Sequence, residues 1–142
     1  MPAMPTISVT TAATLAGVDR RTVRRWLGEG SIDLAGLLQA AALPLDQDEV
    51  EAVLLADAGD AEGMADLALI LSLRGHHGRA VEFVQRAADK GHADAMHWLA
   101  RAYLDGKGVE KDINVGLMWL AKSASLGHQI SAAQVAALLR MF

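Results

Sequence analysis

Arg20, Arg21, Arg24 and Arg25 fall within one short stretch that follows Gly17-Val18-Asp19. In a helix capped by Asp19 they lie at about 0, 100, 40 and 140 degrees around the axis, with Val23, Trp26 and Leu27 opposite. Such a face suits phosphate, and each guanidinium can also read guanine O6 and N7 bidentately. Thr22 adds a hydroxyl to the same stretch. A carboxylate one turn away, Glu29, is expected to pair with Arg25. The other arginines repel one another at a cost of a few tenths of a kcal/mol per pair, which an outside anion would relieve.

The remaining reactive side chains point away from catalysis. His76 and His77 are adjacent in an expected loop, with no cysteine or carboxylate to complete a metal set. His92 and His128 occupy matching places at expected helix starts, which suggests a structural junction, and His97 is badly spaced to chelate with His92. Gly106-Lys107-Gly108 lacks the strand-to-helix setting of a phosphate loop. No nucleophile and base pair is evident, so neither an enzyme nor a cofactor or metal is expected. Trp98 stands where related positions hold Asp66 and Gln134, which makes it a protein-contact candidate if exposed and a junction residue if buried.

The elements that position these groups read as all-α. Expected helices cover 10–16, 19–28, 33–42 and 46–58, with a turn at 17–18 and no strand. The first two make a helix-turn-helix: Ser8 or Thr10 caps the first, Ala13 allows a close crossing, and Gly17 permits the turn. A second organising feature is a repeat. The segment Ala56 to Met64 aligns with Ala88 to Met96 and with Ala124 to Ala132, placing Gly59, Gly91 and Gly127 at equivalent helix ends. Matched apolar positions are Leu67, Ala68 and Leu71; Leu99, Ala100 and Tyr103; and Val135, Ala136 and Leu139. Phe83-Val84 and Trp119-Leu120 correspond in the second helices.

Two resemblances follow from these residues. The repeat resembles the Sel1-like family, related to tetratricopeptide repeats, over 56–142 and best over 92–128. Ala95, Leu99, Tyr103, Gly106-Lys107-Gly108-Val109, Asp112, Trp119, Ala124, Gly127 and His128 carry that pattern. Ala100 departs from the family's glycine, Val115-Gly116 from its lysine-alanine pair, and the preceding unit has the shorter Gly75-His76-His77-Gly78 loop. The order of residues over 6–30 resembles the helix-turn-helix of MerR-like and excisionase-like DNA-binding proteins. That resemblance implies double-stranded DNA contacts through Arg20, Arg21, Thr22, Arg24 and Arg25. The basic or hairpin wing of that family is missing, because Gly28 to Asp33 is acidic. A lone arginine helix would bind weakly and in a salt-sensitive way, so a dimer or partner is needed.

The bulk numbers agree with a local cationic site on an acidic body. The chain has 142 residues, a formal net charge of −4, 52% hydrophobic and 4% aromatic residues. Residues 1–45 set four arginines against Asp19, Glu29 and Asp33, so the acidity lies in the rest. With no cysteine, disulfides and cysteine metal sites are excluded. Neither a secretory leader nor a long apolar run is present, so a cytoplasmic protein without membrane contact is expected.

The expected organisation is a helix-turn-helix head with its connecting helix (1–45) and a short α/α solenoid of Sel1-like repeats (46–142). Residues 128–142 read as the first helix of an unfinished unit, whose Val135, Leu138, Leu139 and Phe142 would leave an apolar strip for a homodimer or partner. The expected function is a DNA-binding regulatory protein whose repeats serve protein contacts or dimerisation. The alternatives are a scaffold that does not bind DNA, with solvated arginines, and an arginine face for an acidic protein or RNA.

Overall fold

The structure, a computed structural model, describes residues 5–141. Its elements run β1 (Thr6–Ile7), α1 (Val9–Ala16), α2 (Arg20–Leu27), β2 (Ile32–Asp33), α3 (Leu34–Ala40), α4 (Gln47–Asp57), α5 (Ala61–Leu73), α6 (His77–Asp89), α7 (Ala93–Asp105), α8 (Ile113–Ser125) and α9 (Gln129–Leu139). Among the described residues the fold is all-α apart from one two-residue ribbon. There β1 pairs antiparallel with β2, Ile7 opposite Ile32 and Thr6 opposite Asp33. This corrects the strandless expectation: two residues are too few to show an alternating pattern. What holds the ribbon is burial of Ile7 and Ile32, with the Leu34 N–H donating to the Pro5 carbonyl.

Local chemistry sets the helix starts. Ser8, Asp19, Asp33, Asp46, Asp60, His92, Asp112 and His128 each accept a hydrogen bond from the backbone N–H three residues on. At Asp46 the bond is reciprocated by Glu49 in a full capping box. The repeat junctions end their helices alike. At Gly91, φ of 88° lets the chain reverse while its N–H bonds Ala88 and the His92 N–H bonds Ala87. Gly59 and Gly127 repeat that conformation.

From α4 to α9 each helix packs on the next. The apolar stripe expected in each repeat is buried in α5 (Leu67, Ala68, Leu71) and in α7, where Leu99 and Ala100 are buried and Tyr103 is half-buried. In α9 it is not: Val135 is half-buried, Ala136 is exposed and Leu139 is 68% exposed. The second helix that follows α5 and α7 has no counterpart after α9 among the described residues.

One continuous core joins the front of the chain to the repeats. On α4, Asp57 accepts from the Ser8 N–H at 3.1 Å and the Ser8 hydroxyl at 2.7 Å. Burial disfavours its charged form, but hydrogen bonds from Thr11 and Ser8 outweigh that and hold its carboxyl below the ordinary value. From α6, Arg86 donates to the Thr14 hydroxyl while its guanidinium lies 5.1 Å from the centroid of the buried Phe83 ring. Arg79 donates to the Leu15 carbonyl at 3.4 Å, a cation on the last turn of α1. A Cβ at Gly17 would collide with the Arg79 side chain, so glycine here serves contact with α6 as well as its φ of 71°.

Candidate functional site

The arginine helix is short and held at its start. Asp19 accepts the Thr22 N–H at 2.7 Å, and that bond leads the causes holding its carboxyl below the ordinary value. The Thr22 hydroxyl and the charges of Arg21 and Arg25 add to it. Thr22 is half-buried and belongs to this cap, whereas Arg20, Arg21, Arg24 and Arg25 are all exposed. Val23 is fully buried, Leu27 is half-buried with its Cδ2 beside Gly36 of α3, and Trp26 remains 39% exposed. The apolar face is therefore narrower than its spacing suggests.

Glu29 pairs with Arg24, Oε2 to Nε at 3.8 Å, rather than with the expected Arg25. The physical reason is that α2 stops at Leu27 and Gly28 turns at φ 88°, so helical spacing does not reach Glu29. An exposed pair of this kind is worth about 0–1 kcal/mol and leaves the face cationic. Arg79, leaning over Gly17, brings a fifth guanidinium to the turn before α2. It lies far from the head in sequence, so no local pattern ties it to that turn.

Trp98 is half-buried and lines a cavity of about 160 Å³ between α5, α6 and α7. His77, Arg101, Asp105 and Lys107 stand around it over Ala80 and Val81. Of these, the repeat pattern alone singles out Trp98. Arg101 and Asp105 are joined at 3.5 Å while remaining 52% and 55% exposed, a loose pair. A second cavity, about 390 Å³, opens between α7, α8 and α9 against Leu104, Leu120, Leu138 and Met141. Gln134 lines it, and its Oε1 is buried without a hydrogen-bond partner among the described residues. An acceptor left unmatched costs about 1–3 kcal/mol.

Of the residues expected to form an apolar strip on α9, Val135 packs against the core. Leu138, 37% exposed, faces the second cavity, and Leu139 lies on the other flank of the buried line through Ser131 and Val135. The strip is thus divided in two. Phe142 lies outside the described residues.

The histidines build junctions. His92 and His128 accept through Nδ1 from the N–H groups of Ala95 and Ser131, which leaves His92 Nε2–H to donate to Glu62 at 2.7 Å, while His128 Nε2 lies 2.9 Å from Asp94 Oδ1. Each capping histidine thereby clasps the first turn of the equivalent helix one repeat earlier. His97 stacks on His128, centroids 4.7 Å apart. The fully buried hydroxyls order its tautomer: Ser123 donates to the Ala93 carbonyl, Ser131 donates to Ser123, and Ser131 accepts from His97 Nδ1–H. Burial first, then His128 and Arg101, push the His97 pKa below its ordinary 6.5, against a smaller pull from Asp94. With the folded value depressed, the unfolded chain binds the proton first, so stability is full above about pH 6.5 and is lost as pH falls below it. Thermal melts should fall between about pH 7 and 5, and His97→Gln should flatten that slope. An unaltered slope in the variant would contradict the assignment.

Among the described residues no helix is long and apolar enough to cross a membrane, and no cluster of three metal-ligating side chains occurs. The family model for the Sel1 repeat matches two stretches of the chain, residues 61–92 and 93–128. No curated protein matches the chain.

Proposed function

We propose, from the premise that the Sel1 repeat model matches residues 61–128, that the protein is a DNA-binding regulator whose head contacts double-stranded DNA and whose repeats hold a protein partner. The observation that carries the DNA reading is the exposure of all four α2 arginines on a helix anchored by the fully buried Val23, behind the Gly17 turn. Arg20, Arg21, Arg24 and Arg25 would supply the phosphate and base-edge contacts, and Thr22 would keep the helix start in place for them. The test is an anisotropy titration of the full chain with duplex DNA at two salt concentrations. Saturable binding that weakens steeply with salt supports it, and no binding to any duplex at low salt would discard it.

Binding by one such helix is weak, so the reading includes a homodimer through α9. Leu139 supports it, because the equivalent Leu71 is buried and Tyr103 half-buried. Light scattering behind size exclusion should give twice the chain mass at tens of micromolar, about 1 kcal/mol or more being lost with Leu139→Ser. A monomer at that concentration would remove the dimer. The acidic body favours the second reading, a scaffold without DNA affinity.

A further inference from the structure

The two cavities of the repeat body are the same place in successive repeats. Trp98, Arg101, Ala102 and Asp105 line the first, and Gln134, Ala137, Leu138 and Met141, each 36 residues further on, line the second. Arg101 and Asp105 border both, so the cavities adjoin. Their chemistry has been exchanged: the first offers an indole and the cations of Arg101 and Lys107, and the second offers aliphatic walls.

We infer that this pair of cavities is a docking groove for an extended segment of a partner protein carrying an acidic residue and an aliphatic residue three positions apart. Charge complementarity fixes the first contact. Arg101 and Lys107 face a single carboxylate, Asp105, and the loose Arg101–Asp105 pair can turn a guanidinium to a ligand carboxylate without uncovering a buried charge. The aliphatic side chain sits against Leu104, Leu120, Leu138 and Met141.

Spacing decides the backbone. Three residues of an α-helix advance only about 4.5 Å, too little to pass from one cavity to the next. Packed helices lie about 8–10 Å apart, and three residues of polyproline II advance about 9 Å and return to the same face. The acidic and aliphatic side chains therefore reach adjoining cavities from one face of the segment.

This inference rests on the protein-contact part of the reading above and is independent of DNA. Its test is selection of a random displayed 12-residue peptide library on the full chain, followed by anisotropy of the selected peptides as synthetic probes. The expected consensus has Asp or Glu and Leu, Ile or Val separated by two residues. Arg101→Glu and Leu138→Ser should each weaken the probes about tenfold or more, one step of about 1.4 kcal/mol in affinity. Arg20→Ala/Arg24→Ala should leave them unchanged. Both groove substitutions alter exposed side chains, and unchanged melting temperatures will certify the fold. Selected peptides of other chemistry, or ones indifferent to both substitutions, would overturn the groove while leaving the repeats as a protein-binding surface. Absence of any selected binder would overturn the groove and count against the protein-contact reading too. A dimer lost with Leu138→Ser, together with failure of the probes, would assign the cavity to a second copy and overturn the proposal.

Discussion

Arg20→Ala/Arg24→Ala is expected to abolish measurable duplex binding while leaving the fold intact. Both side chains are exposed, so their removal exposes no core, and a surface change of this kind shifts stability by about 0.5 kcal/mol or less. The effect on binding is far larger. Each phosphate neutralised contributes about −0.9 to the slope of log K against log salt, so about 2 of the wild-type slope per head belongs to the two contacts that the variant lacks. Arg24 has the additional role of holding Glu29, and its removal leaves that carboxylate free near the face. A lysine pair, Arg20→Lys/Arg24→Lys, should retain much of the salt-dependent affinity and lose whatever depends on bidentate base contacts. Equal loss in the alanine and lysine pairs would place those two arginines on base edges; no loss in either would remove them from the interface.

The second large effect concerns stability. Phe83→Ala removes the largest fully buried side chain in the core and is expected to cost about 3–5 kcal/mol. For a domain of this size that corresponds to a fall of roughly 10 to 20 °C in melting temperature. The position also couples front to body, because the Phe83 ring carries Arg86, which donates to Thr14 of α1. Arg86→Ala alone should cost less, and the double variant should lose less than the sum of the two because they share that contact. Strict additivity in thermal or urea melts would contradict the coupling.

The junctions were legible because each is written in adjacent residues. Gly91 followed by His92 supplies both the left-handed end of α6 and the cap of α7, and Gly127-His128 does the same for α8 and α9. The helix of arginines was equally plain, since amphipathic spacing is local. Its ion pair was misassigned because the step from Arg25 to Glu29 counts as one turn only while a helix lasts, and Gly28 ends it. The ribbon escaped notice because its signal is two isoleucines far apart in the chain, each meaningful only when opposed. The same limit hid Arg79 from the head, His97 from His128 and the buried serines.

Aligning the repeats pointed to Trp98 and Gln134 as unlike residues at one position. What their difference meant needed the cavities, where Arg101, Lys107 and Leu138 complete two unlike surfaces. Likewise, the expected α9 strip treated Val135, Leu138 and Leu139 as one face, although the buried line through Ser131 takes Val135 and parts the two leucines.

Selection of the full chain on a pool of random duplexes, with Arg20→Ala/Arg24→Ala run in parallel, tests the central claim most directly. The account predicts that the wild-type chain enriches a common site and that the variant enriches none. A wild-type pool that stays random at low salt, or one enriched equally by the variant, would contradict it.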